Sequence, residues 1–144
     1  MPTRPLRNIV KSRQPLMLDI KTSVFDAALA MEGMHRAAVL VMDGDTLAGI
    51  FTERDATYRV LAKELDPKRT TLGEVMTRKP TTLPSDRPFG HALHLMYEGG
   101  FRHVIVVEDD KPIGIVSARH VLGTELMQFE DELHQREDIA EHMR

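Results

Sequence analysis

Two seven-residue segments carry the side chains best suited to chemistry. Gly49-Ile50-Phe51-Thr52-Glu53-Arg54-Asp55 places a hydroxyl three positions before a carboxylate. Gly114-Ile115-Val116-Ser117-Ala118-Arg119-His120 repeats the pattern with a histidine where the carboxylate stood. At the junction of a β-branched run and a helix, this spacing makes a capping box, in which Thr52 accepts one backbone N–H and Asp55 accepts the N–H of Thr52. The same geometry can serve a ligand. Unpaired N–H groups at a helix start suit a phosphate. A carboxylate beside them can accept both hydroxyls of a ribose, each charge-assisted bond contributing about 1.5–3 kcal/mol. His120 cannot make that paired acceptance, so the two segments are chemically unequal.

Other chemistries find little support. The chain has no cysteine, which removes thiol catalysis, disulfides, iron–sulfur clusters and thiolate zinc sites. His91 and His94 could share one helix face, but no third metal ligand accompanies them. Glycine-rich dinucleotide or triphosphate cradles, a nucleophile elbow and a His-Glu-x-x-His helix are all missing, so the reading is non-enzymatic. Arg102 and His103 precede an apolar run and could meet an anion or simply face solvent.

The elements that position these residues occur twice. Sliding the sequence by 65 positions aligns Val10–Asp55 with Val75–His120 without a gap, and 12 of 46 pairs are identical. Pro15 matches Pro80, Ala27 matches Ala92, Met31 matches Met96, and Gly49-Ile50 matches Gly114-Ile115. Each copy reads as an extended segment after the proline (15–18 and 80–83), then a helix bearing Val24, Ala27, Ala28 and Met31 or Phe89, Ala92, Leu93 and Met96. A buried strand follows (37–42 and 103–107), then a turn at Asp43-Gly44-Asp45 or Asp109-Asp110-Lys111-Pro112, a returning strand and a helix from about Glu53 or Ala118. Ser23 or Thr22 would cap the first long helix and Asp86 its counterpart, and Gly99-Gly100 would end the latter. The expected class is α/β (α+β): two pseudo-symmetric β-α-β-β-α repeats packed as one module, plus a C-terminal helix. The expected divisions are 1–65, 66–123 and an acidic tail, 124–144.

Charge follows the same division. Residues 124–144 hold seven acids and two bases, a net of −5, which leaves +2 for the remainder of a chain whose total is −3. Arg4, Arg7, Lys11 and Arg13 open the chain with no apolar run behind them, and no stretch approaches the roughly 20 apolar residues of a membrane span. The expectation is a cytoplasmic protein without a membrane partner. Aromatics at 5% and the lack of a long basic stripe argue against nucleic acid. Leu126, Phe129, Leu133, Ala140 and Met143 lie near one side of a helical tail, which reads as solvated or as a seam for another subunit.

The repeated unit, the Gly-Ile-Phe-Thr-Glu-Arg-Asp segment and Glu74-Val75-Met76-Thr77-Arg78-Lys79-Pro80 together resemble a tandem pair of cystathionine-β-synthase (CBS) domains, the Bateman module, in its small stand-alone prokaryotic form. The resemblance spans about residues 5–125. It implies two clefts between the repeats that take adenosine-containing ligands: AMP, ADP, ATP or S-adenosylmethionine. Thr52 and Asp55 would contact phosphate and ribose, with Ser117 and His120 their second-copy equivalents, and His120 departs from the family's carboxylate. Leu16, Met17, Thr81 and Thr82 would line the adenine, and Arg102 and His103 would meet phosphate. No cofactor is required. A homodimer, signalling ligand occupancy to an unnamed partner by population shift, is the implied role. A dimeric scaffold that has lost the ligand is the alternative.

Overall fold

The computed structural model of this protein describes residues 1–142. Helices α1 (Leu6–Val10), α2 (Val24–Met34), α3 (Glu53–Asp55), α4 (Leu72–Val75), α5 (Phe89–Gly99) and α6 (Gly123–His142) alternate with strands β1 (Met17–Asp19), β2 (Ala38–Asp43), β3 (Thr46–Thr52), β4 (Thr77–Arg78), β5 (Thr82–Pro84), β6 (His103–Glu108) and β7 (Lys111–Ser117). The 65-residue offset carries β1, α2, β2 and β3 onto β5, α5, β6 and β7 end to end. Strand pairing obeys it too: Met17 opposes Leu40 in one parallel pair, and Thr82 opposes Ile105 in the other.

The chain forms two compact units. One comprises Gln14–Thr81 with Asp110–Pro112. Its sheet has the order β1-β2-β3-β4, and its core gathers Leu16, Val24, Ala27, Met31, Val39, Val41, Phe51, Val60, Leu72, Val75 and Met76. The other comprises Met1–Arg13, Thr82–Asp109 and the chain from Ile113 onward. Its sheet runs β5-β6-β7, over a core that includes Leu6, Val10, Phe89, Ala92, Leu93, Val104, Val106 and Val116. The middle strands β2 and β6 are unbroken apolar runs because both their faces are covered.

The short helices α1 and α4 were not legible as elements, and they are exchanged. Helix α1 precedes the first repeat, yet Leu6, Ile9 and Val10 enter the core built on the second repeat. Helix α4 precedes the second repeat, yet Leu72 and Val75 enter the first core. The glycine shared by both copies makes this docking possible. A Cβ on Gly49 would lie 2.6 Å from the Thr77 carbonyl oxygen and 2.7 Å from Met76 Sδ, and one on Gly114 would lie 2.5 Å from Val10 Cβ.

Caps and turns show where local chemistry ruled and where it did not. Ser23 caps α2, its hydroxyl accepting from Asp26 N–H at 3.1 Å. Asp86 does not cap α5. Pro88 occupies the cap position with no side-chain bond, so that expectation is corrected. Nor does a helix run on from Ala118: residues Ala118–His120 form one 3-10 turn, and α6 starts afresh at Gly123. After α3 the chain winds as a π-helix over Ala56–Leu61, with Ala62 N–H donating to the Thr57 carbonyl at 2.9 Å. There the Thr57 hydroxyl donates to the Glu53 carbonyl at 3.1 Å, the acceptor an α-helix would give to the next turn.

Helix α2 ends on His35 at φ 54°, whereas α5 ends on Gly100 at φ 71°. A Cβ in the left-handed region costs about 1–2 kcal/mol. His35→Gly is therefore expected to raise the melting temperature by about 3 °C, a calorimetric comparison that a lower value would overturn.

Helix α6 meets its own chain. Phe129 packs against the core of its unit and sits edge-on to His94, ring centroids 4.9 Å apart. His94 Nε2 bonds Glu132 at 2.5 Å, and Arg136 pairs with Glu98 at 2.9 Å. Burial alone would raise the Glu132 carboxyl, but bonds from the Met1 ammonium and His94 hold it below the usual carboxylate range. Leu126 is exposed and Leu133 half-buried. Of the expected stripe, Met143 and the side chain of Ala140 lie outside the described residues.

Candidate functional site

Strand β3 ends where Thr52 leaves the extended backbone, and the capping box expected there forms. Asp55 N–H donates to Thr52 Oγ1 at 3.3 Å, while Thr52 N–H donates to Asp55 Oδ2 at 3.0 Å. The carboxylate does more than cap. The Thr77 hydroxyl donates to Oδ1 at 3.2 Å, and Arg59 Nε lies 3.5 Å from Oδ1. Arg59 Nη1 also donates to the Met76 carbonyl at 2.9 Å. Asp55 is thus 7% exposed and ties the β3 end, the following helix and the α4–β4 segment together. A carboxylate offers about four acceptor directions. Thr52 and Thr77 take three of them, and Arg59 leans on the fourth.

The second copy builds the same junction with a histidine. Ser117 N–H donates to His120 Nδ1 at 3.0 Å, and Arg119 N–H donates to Ser117 Oγ at 3.3 Å. A ring nitrogen that accepts must be bare, so the proton of the neutral ring resides on Nε2. Partial burial, together with the nearby Arg4, Arg13 and Arg119, outweighs a backbone bond with Ser117 that favours the charged ring and holds the His120 pKa below its ordinary value. Arg4 reaches the turn directly. Its Nη2 donates to the His120 carbonyl at 2.8 Å and to Glu125 Oε1 at 2.9 Å, and its guanidinium lies over the Phe89 ring. Glu125 Oε1 in turn accepts Leu122 N–H at 3.0 Å, just ahead of α6.

Of the other residues singled out by sequence, Leu16, Met17 and Thr81 belong to the unit that holds Thr52 and Asp55. Leu16 is buried in that unit's core, and its carbonyl accepts Leu40 N–H at 2.9 Å. Met17 is 41% exposed at the start of β1. Thr82, Arg102, His103, Ser117 and His120 belong to the other unit. Thr82 opens β5 and is exposed, Arg102 is exposed, and His103 is half-buried as the first residue of β6. Among the described residues no group of three histidines or carboxylates could hold a metal, and no helix is long and apolar enough to cross a membrane.

The family model for the CBS domain matches twice, over residues 6–62 and 72–125. The chain belongs to the CBS-domain family. It is similar to the meiotically up-regulated gene 70 protein of Schizosaccharomyces pombe, 37% identical over 93% of this chain and 18% of that protein. It is also similar to CBS domain-containing protein CBSCBSPB2 of Arabidopsis thaliana, at 35% over 93% of this chain and 26% of the relative. The chain thus spans about a fifth to a quarter of these curated relatives. Among solved structures, a putative signal-transduction protein with CBS domains from Burkholderia ambifaria superposes with a TM-score of 0.76, at 30% identity over 81% of this chain and 89% of that one. The CBS domain pair of protein MJ0100, solved with 5′-methylthioadenosine and S-adenosylmethionine, gives 0.73 at 26% identity, over 83% and 93% of the two chains.

Sequence reasoning missed Thr77 and Arg59, the two residues that complete the Asp55 network of the first CBS copy. Thr77 lies within the segment that opens the second copy, so its motif was visible but its partner, 22 residues away, was not. Arg59 follows Asp55 by one helical turn, a spacing that signals an ion pair in general and this one only after folding.

Proposed function

We propose that this protein is a regulatory module that binds an adenosine-containing ligand (AMP, ADP, ATP or S-adenosylmethionine) and passes its occupancy to a partner protein. The observation that carries this reading is the matched CBS pair, together with a related pair that holds two adenosine compounds in its own structure. Thr52 and Asp55 are the residues assigned to phosphate and ribose, and Met17, Thr81 and Thr82 to the base. Arg102, His103, Ser117 and His120 would act in the second copy. The backbone of Leu16 would contribute beside them. The protein would act as a homodimer in the cytoplasm, with the acidic tail contributing to assembly.

A second reading has its own support. Both oxygens of Asp55 are engaged within the chain, so a ribose hydroxyl would have to displace Arg59 or Thr77. A module kept for its fold alone, as a dimeric scaffold, fits that economy of acceptors. Calorimetric titration with the four compounds separates the two readings. The sensor reading expects saturable binding of at least one compound. It also expects about a tenfold or greater loss in Asp55→Asn, a variant that can still accept Thr52 N–H. Heats indistinguishable from dilution for all four would leave the scaffold.

A further inference from the structure

His120 stands where the first copy has Asp55, and the substitution alters more than hydrogen-bond count. Ser117 N–H donates to Nδ1, which fixes the neutral ring as the Nε2–H tautomer. Around that ring are Arg4 from the N-terminal segment, Arg13 just past α1 and Arg119 in the same turn. Among the described residues, Glu125 of α6 is the carboxylate bonded at this junction, and Arg4 spans it and the His120 carbonyl. A proton on Nδ1 would remove the acceptor for Ser117 N–H and add a fourth positive charge beside three arginines.

We infer that His120 is a proton-sensitive cap coupling the end of β7 to the start of α6. While Nδ1 is bare, Ser117 N–H is held and the turn is closed. Protonation releases that bond and, through the His120 carbonyl, Arg4, Glu125 and Leu122 N–H, loosens the entry of α6. The sign follows from linkage. A half-buried ring beside cations binds its proton less tightly in the folded state than in the unfolded chain, whose histidine titrates near 6.5. The stability it contributes is whole above that value and is lost as pH falls through the lower folded one. Histidine is the side chain whose ordinary titration lies in this range, so the device belongs to the second copy alone. It does not depend on any ligand.

Residue-resolved hydrogen exchange on the full chain tests it, with His120→Asn and His120→Asp alongside. Asparagine offers an oxygen to Ser117 N–H without titrating, and aspartate copies the first repeat. Between about pH 7.5 and about pH 5, exchange at Ser117 N–H, corrected for its intrinsic pH dependence, should accelerate about threefold or more. Leu122 N–H should follow, while amides of β2 and β3 keep their protection. Either variant should abolish the acceleration. Ser117 protection that stays constant through the titration of the His120 ring, followed by NMR in wild type, would overturn the inference. So would equal acceleration in His120→Asn. The wild-type comparison decides the matter even if a variant fails to fold.

Discussion

Asp55→Ala is expected to lower the free energy of unfolding by about 2–3 kcal/mol, against about 1 kcal/mol for His120→Ala. The two residues hold equivalent places in the repeat, so the difference measures what each site has gathered around its cap. Asp55 accepts from Thr52 N–H, the Thr52 hydroxyl and the Thr77 hydroxyl, and it neutralises part of Arg59. Its removal leaves those donors facing a nearly closed space. The Arg59 pair adds little by itself, since that side chain is half exposed. His120 accepts a single backbone N–H through its ring. Urea denaturation of both variants checks the ratio, and a Thr77→Val, Asp55→Asn cycle isolates the hydroxyl's share. Equal losses in the two alanine variants would show that Thr77 and Arg59 contribute nothing to the cap.

The second large effect is steric. Gly114→Ala and Gly49→Ala should each cost about 2–3 kcal/mol and lower the melting temperature by about 6–10 °C. At Gly114 the new methyl would meet Val10 at its Cβ, the root of the side chain, so no rotamer of Val10 relieves the contact. At Gly49 it would meet a backbone carbonyl, which can move only with β4. Gly33→Ala is the control. It sits in α2 with nothing within 4 Å of its Cβ, and there alanine should stabilise by about 0.5–1 kcal/mol. Thermal melts of the three variants would refute the account if Gly114→Ala behaved like Gly33→Ala.

These two sites also show how much of the molecule could be read in advance. Thr52 and Asp55 were legible because a capping box is local: three residues of spacing and a strand before them suffice. The same rule failed at Asp86. Pro88 reaches the cap position first, with φ −74° and an extended backbone ready for the turn, and Asp86 is left outside. The shared glycines stood out as identities between the copies, but their purpose did not. Only the docked Val10 and Met76–Thr77 give a reason for the missing Cβ. The basic start of the chain likewise gained a meaning: Arg4 spans Glu125 and the His120 carbonyl.

By itself, the sequence determined the repeat, its 65-residue period, the β-α-β-β order within each copy and the difference between Asp55 and His120. Those features are local or periodic, and each copy states them independently. Only the tertiary structure decided that α1 joins the core of the second repeat and α4 that of the first, and that Thr77 and Arg59 close around Asp55. Tertiary packing alone also decided that Phe129 turns the acidic tail toward its own chain. A short apolar segment specifies that it must be buried, not against which sheet. That choice belongs to the strand whose glycine leaves room for it.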